Sequence, residues 1–127
     1  MSKLLYTKYI IFTSLFLSIA FSEDWNITLE ANIDGWGVFP VSDILNQIGM
    51  RSDASDGYDS EYDIPEPPTI PGYWISLYFP HPEWDNEFYE NYTADIRTLD
   101  DLSDSYMTWN GEVVSDMSGV GDITLSN

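Results

Sequence analysis

The chain has no cysteine. That excludes disulfides, thiolate nucleophiles and cysteine-built zinc sites. Histidine is nearly absent as well: His81 stands alone, between Pro80 and Pro82, and a lone histidine without cysteine does not make a zinc site. Positive charge is scarce, with 4 Lys and Arg against 22 Asp and Glu and a formal net charge of −18. So acidic a surface repels nucleic acid and anionic lipid, which removes both as partners. It attracts cations, calcium among them, and otherwise serves to keep the chain soluble. Also missing are a serine-centred elbow, a phosphate-binding loop, a basic stripe, an internal repeat and a helical period of ordinary length.

One long apolar run is present, and it lies at the N-terminus. Lys3 and Lys8 precede Ile10 to Phe21, which is interrupted only by Thr13, Ser14 and Ser18. Ala20-Phe21-Ser22 follows with small residues at the two positions a signal peptidase reads. This is the layout of a secretory signal peptide, residues 1–22, cleaved before Glu23. The run is shorter than the roughly 20 apolar residues a membrane helix needs, so no membrane span is expected after cleavage. The expected location is extracellular or at the cell surface, and cysteine-free export suits a bacterium. Removing 22 of 127 residues leaves 105, one domain's worth (23–127), and both lysines leave with the leader. Arg51 and Arg97 then face all 22 acids, a formal charge of −20.

What remains is too apolar for disorder, with 43% hydrophobic and 16% aromatic residues in the whole chain. Trp25, Ile27, Leu29, Ala31 and Ile33 alternate with polar residues, a strand with one buried face. Asp34-Gly35 closes it. Trp36 to Val41 is apolar but broken by Gly37 and Pro40, an irregular or edge segment. Asp43 to Met50 reads as a strand with Ile44, Ile48 and Met50 on one side; a short helix is the alternative. Tyr73, Ile75, Leu77 and Phe79 face one way along a strand, with Trp74, Ser76 and Tyr78 opposite. Pro80-His81-Pro82 ends it, and Glu83 to Asn91 reads as a loop or one helical turn. Tyr92 to Leu99 alternates again. Leu99 to Ser105 is an acidic connection. Tyr106 to Val114 is a strand holding Trp109, which Asn110-Gly111 would split if it formed a hairpin turn. Ile123 and Leu125 begin a last strand, and the chain stops within it, as a fragment of a longer protein would. Short strands separated by turn signals describe an all-β, antiparallel β-sandwich, of immunoglobulin/fibronectin-like or jelly-roll type. Its expected core gathers Ile27, Leu29, Ile75, Leu77, Ile96 and Trp109.

Arg51 to Gly72 is a long connection, acidic in its first half and carrying Pro65, Pro67, Pro68 and Pro71 in its second. A structureless loop this long in a small domain is functional or pinned. Hard cations want several carboxylates gathered by a tight turn, and Asp56, Asp59 and Asp63 are the candidate calcium ligands here. The run lacks the EF-hand spacing. The competing reading is that these acids accept backbone N–H bonds and shape the turn.

Asp53-Ala54-Ser55-Asp56-Gly57-Tyr58-Asp59, followed by Asp63-Ile64-Pro65-Glu66-Pro67-Pro68, resembles a pattern of β-sandwich domains in secreted, surface-directed proteins of Bacteroidota-like and related marine bacteria. Tyr78-Phe79-Pro80-His81-Pro82, Tyr92 to Arg97, Trp109 and Ile123-Thr124-Leu125-Ser126 follow in the same order, so the resemblance spans Ile44 to Ser126. It implies a β-sandwich and an extracellular compartment, and no activity. Such proteins often end in a type IX sorting domain; none is read in this sequence.

Candidate chemistry is thin. Glu83, Asp85 and Glu87 beside Trp84 imitate a glycosidase pair, but in a chain with 22 acids such clusters arise by chance. Trp74, Tyr78, Trp84, Phe88, Tyr89 and Tyr92 would offer aromatic faces to pyranose rings, although aromatics at strand parity more often pack the core. Trp84 and Tyr89, outside the clear strands, are the carbohydrate-binding candidates. The sequence therefore points to a non-enzymatic extracellular or cell-surface module of structural or adhesion type. A carbohydrate-binding module is the alternative, and a glycoside-active enzyme comes third. A polysaccharide or another surface protein is the expected partner. No cofactor is expected beyond calcium at the acidic loop.

Overall fold

A computed structural model describes residues 23–35, 39–99 and 107–127, together with the backbone of two short N-terminal strands. The expectations for Trp36 to Val38, for the acidic stretch 100–106 and for the Ala20-Phe21-Ser22 ending lie outside these residues. The described chain is all β. Its strands are β1 (Lys3–Leu4), β2 (Ile10–Thr13), β3 (Trp25–Gly35), β4 (Val41–Arg51), β5 (Ile75–Pro80), β6 (Asn91–Tyr92), β7 (Ala94–Thr98), β8 (Thr108–Ser115) and β9 (Gly119–Ser126). Two sheets pack face to face, ordered β1-β9-β3-β4-β7 and β2-β8-β5-β6. Among the described residues the helical content is a single 3-10 turn, Pro82–Trp84.

The alternation of β3 places Leu29, Ala31 and Ile33 in the core, with Trp25 and Ile27 packed at its margin. From the second sheet, Ile75, Leu77 and Phe79 meet them, and Trp109 of β8 is fully buried between the layers. The Trp109 indole N–H donates to the Asp95 carbonyl at 3.1 Å, and its ring meets Trp25 edge-on at 5.7 Å. A buried indole needs such a partner for its single donor. Ile96 is buried as well.

Three details differ from the sequence reading. Ile44 does not share a face with Ile48 and Met50. A β-bulge shifts the β3–β4 register between Leu29 and Ala31, and Leu45 sits there at φ 71°. The extra residue reverses the side-chain parity, so Ile44 and Leu45 are exposed while Asn46 turns inward. The first sheet is not wholly antiparallel, because β4 and β7 pair in parallel from Gln47↔Ala94 to Arg51↔Thr98. A parallel pair needs a crossover, and the chain makes one by running from β4 through the second sheet and back. Finally, β8 runs straight through Asn110-Gly111, since these residues pair with Ile11 and Ile10 of β2 and leave no turn to close.

Candidate functional site

The acidic loop is anchored through its own carboxylates. Asp59 accepts the Ser55 amide (2.6 Å) and hydroxyl (3.0 Å) on one oxygen. Asp63 is buried and accepts two amides, that of Asp59 at 2.7 Å and that of Ile96 in β7 at 2.9 Å. Asp56 accepts the Thr98 amide at 3.4 Å, and its carbonyl accepts the Trp84 indole N–H at 3.3 Å. Farther along, the Ile64 carbonyl accepts the Thr93 amide at 2.7 Å, and Pro65 bridges to Tyr92. These carboxylates point at amides of the loop itself and of β7, as turn-forming acids do. Among the described residues no group of three or more His, Cys, Asp or Glu side chains gathers as a metal site. Burial pushes the Asp63 carboxyl up to about 6, against the two amides that favour its charge, and the nearby Asp95 and Asp59 carboxylates add to the rise.

Beneath this loop lies a buried ionic cluster. Asp95, fully buried, faces the Arg97 guanidinium at 3.1 and 3.2 Å through both oxygens. His81 donates from Nε2 to Asp95 at 2.8 Å and from Nδ1 to Glu83 at 2.6 Å. Burial opposes charging of His81, but the hydrogen bonds to Asp95 and Glu83 outweigh it, and the imidazole pKa is raised. Burial likewise works against the Asp95 carboxylate, and the bonds from His81 and Arg97 prevail, holding its pKa below the usual range. Ionised carboxylates only accept, so this pairing favours the doubly protonated imidazolium form of the ring. Trp84 lies flat on that ring, 3.7 Å between centroids at 4°. Its edge meets Tyr92 at 4.8 Å. A histidine with both nitrogens committed to carboxylates has no lone pair for a metal, a serine or a water. The cluster is a bolt between the 3-10 turn, β7 and the acidic loop.

An open groove of about 370 Å³ lies on the outer face of the second sheet. Ser76 and Tyr78 of β5, with Trp74 just before the strand, line its floor, while Ile75 and Leu77 point inward. The Glu66-Pro67-Pro68 segment is one wall, and Phe88 and Tyr89 from the loop before β6 are the other. Glu66 is held in place because its amide donates to the Asn91 carbonyl at 2.9 Å. One carboxylate oxygen of Glu66 accepts the Ser76 hydroxyl at 2.6 Å; Oε2 is buried and has no partner. Burial raises the Glu66 pKa, only partly offset by the Ser76 bond, and the Asp43 carboxylate adds to the rise. Asp43 is itself committed, accepting the Leu77 amide at 2.7 Å. Among the described residues no Lys, Arg or His lines the groove.

The residues singled out in the sequence therefore fall into different places. Asp56, Asp59 and Asp63 share the anchored loop. Trp84 belongs to the ionic cluster, with one face covered by His81. Tyr89, 46% exposed, lines the groove beside Phe88 at 78%, their rings inclined at 60°. Glu83 is bonded to His81, while Asp85 and Glu87 lie exposed on the surface. Sequence reasoning missed Glu66 and the His81–Asp95 pair. The available signals were an acid embedded among Pro65, Pro67 and Pro68, and an aspartate inside the apolar stretch Ala94 to Ile96.

Comparison with known proteins yields no matching family model, no matching curated protein and no matching solved structure.

Proposed function

We propose that the chain is a secreted, non-enzymatic β-sandwich module that acts outside the cell or at its surface, in a structural or adhesive role. The observation that carries this reading is the state of His81. The chain's one histidine is held between two carboxylates through both ring nitrogens, while an open aromatic groove lies elsewhere on the molecule. Perturbed titratable groups in a cleft are the usual pointer to catalysis. Here His81, Asp95 and Asp63 are all tied to one another or to the backbone. The groove has the form of a recognition site, apolar walls with few polar groups.

The N-terminal leader layout supports secretion, and so does the ordered pattern that resembles domains of secreted bacterial proteins. On this reading cleavage removes β1 and β2, each the outermost strand of its sheet, and leaves the remaining order intact. Seven strands in sheets of four and three are then left. That count fits an immunoglobulin/fibronectin-like sandwich better than an eight-stranded jelly roll.

A carbohydrate-binding module is the second reading, favoured by the exposure of Phe88 and Tyr89 beside Trp74 and Tyr78. The test is retention of intact bacterial cells and of surface polysaccharides on the immobilised protein, with mass analysis of the polymer before and after. Saturable retention of an unaltered polymer or surface protein is expected. Release of cleaved product over many turnovers would overturn the proposal, and loss of polysaccharide retention in Tyr89→Ala would select the second reading.

A further inference from the structure

The bulge in β4 does something that sheet packing alone does not need. It holds Leu45 at φ 71° and turns Asn46, a polar residue, fully inward. Bulges re-aim side chains beside functional groups, and backbone strain persists where a site uses it. The side chain that Asn46 meets is Thr93. The Thr93 hydroxyl donates to Asn46 Oδ1 at 2.6 Å, across 47 residues of sequence. A carbonyl bond is about 1.2 Å long, so Oγ1 lies within about 3.8 Å of the carboxamide carbon. Attack on such a carbon begins at about 3–3.5 Å. Thr93 is fixed beside β4, since its carbonyl accepts the Gln47 amide at 2.9 Å and its own amide donates to Ile64 at 2.7 Å. Asn46 Nδ2 is loosely held, 3.4 Å from the Leu29 carbonyl and 3.5 Å from that of Asp43.

Two carboxyls flank the pair. Glu66 accepts the Ser76 hydroxyl at 2.6 Å, and the Thr93 hydroxyl bonds the same carboxyl. Asp43 accepts the Leu77 amide at 2.7 Å and bonds the Asn46 side chain. Burial raises the pKa of both acids, and the Asp43 charge raises Glu66 further. Carboxyls raised in this way are suited to take up and give back protons. The one Thr93 proton thus has two acceptors. Passed to Glu66, it leaves Oγ1 as a nucleophile beside an amide carbon, with a second acid at the amide's nitrogen.

We propose that Thr93 and Asn46 join in an intramolecular ester, formed by the folded chain on itself. Thr93 Oγ1 attacks Asn46 Cγ while its proton passes to Glu66. The Oγ1–Cγ bond forms and the Cγ–Nδ2 bond breaks. Asp43 protonates Nδ2, which leaves as ammonia, and Glu66 returns its proton to Asp43. Nothing is oxidised or reduced, and no co-reactant is consumed. The event happens once per chain, so it is no turnover activity, and it is independent of what the module recognises. The bond ties β4 to the start of β7 and closes the long crossover between them. A cross-link of this kind constrains the unfolded chain, as a disulfide would in a chain that had cysteine. Burial of Asn46 keeps water from the ester.

The experiment is mass spectrometry of the denatured, exported protein. The intact mass should fall about 17 Da, one ammonia, below the value calculated from its N-terminus. Cleavage before aspartates should release residues 43–52 and 85–94 as one linked species, which hydroxylamine separates. Thr93→Val should restore the full mass, and Thr93→Ser, which keeps the hydroxyl, should retain the link. Glu66→Gln should leave most of the chain unlinked. The result on the natural chain decides even if a variant fails to fold. A full mass with two separate peptides would overturn the proposal. So would an ammonia loss confined to one peptide, as from cyclisation of Asn110 onto Gly111. A complete link in Glu66→Gln would overturn Glu66 as the base.

Discussion

Asp63 and His81 ionise in opposite senses, yet both push stability the same way with pH. Asp63 titrates at about 6 in the folded chain, above its ordinary value. The native state therefore holds the proton more tightly, and the stability this contributes is full below about pH 4 and lost as pH rises through 6. His81 also has a raised pKa, so its contribution is full below about 6.5 and disappears as pH climbs through the folded value. Asp95 works in the other direction, its lowered pKa giving stability that is lost only as pH falls below about 4. The urea midpoint should therefore be higher at pH 5 than at pH 8, measured in high salt to screen the general repulsion among the acids. His81→Gln should abolish the part of the decline above pH 6.5, the unperturbed value. A midpoint that stays level or rises from pH 5 to 8 would contradict the cluster geometry. Trp109 makes a second claim at this scale. It is fully buried and bonded to the Asp95 carbonyl, so Trp109→Ala should cost about 3–5 kcal/mol in urea unfolding. A loss below about 1 kcal/mol would place it on the surface instead. Trp109 was legible in the sequence because strand parity alone buries it. The His81–Asp95 pair was not, since 14 residues separate the partners and a buried charge declares itself only through the partner it meets in space.

The elements show where periodicity is reliable and where it fails. In β3 the apolar alternation gave the buried face directly. In β4 the same argument placed Ile44 with Ile48, and the bulge at Leu45 undid it, because one inserted residue moves every earlier side chain to the opposite face. Leu45 is an exposed leucine at φ 71°, a backbone region that costs a branched apolar residue free energy and suits asparagine. Leu45→Asn should leave stability unchanged or raise it by up to about 1 kcal/mol. A loss of more than about 1 kcal/mol would mean that the leucine is packed against something. The acidic loop poses the opposite problem: its composition admits two readings, calcium ligands or turn-formers, and composition does not choose between them. The amide contacts of Asp59 and Asp63 favour the second. Calcium should therefore shift the thermal midpoint no more than sodium chloride at equal ionic strength, with EDTA as the baseline. A calcium-specific rise that Asp59→Asn removes would restore the metal reading.

For the whole molecule, the sandwich was legible and its closure was not. Strand runs, turn pairs and the absence of helical periods indicate two β-layers, but which strands neighbour each other is set by long-range packing. The parallel β4–β7 pair follows from a crossover through the other sheet that no local signal marks. The groove was half legible. Its aromatics stood out, while the Ser76–Glu66 hydrogen bond that holds its wall joins residues ten apart and has no local signal. On the proposed reading, removal of the leader leaves residues 23–127 as a secreted sandwich that folds without it. Among the described residues the buried apolar core runs from Leu29 to Met117, and β1 and β2 are edge strands. The most direct measurement is urea unfolding of the exported protein after its intact mass has been determined. The account predicts a mass that begins at Glu23 and one cooperative transition. A full-length chain retained with the membrane, or a chain from Glu23 that unfolds without a cooperative transition, would contradict it.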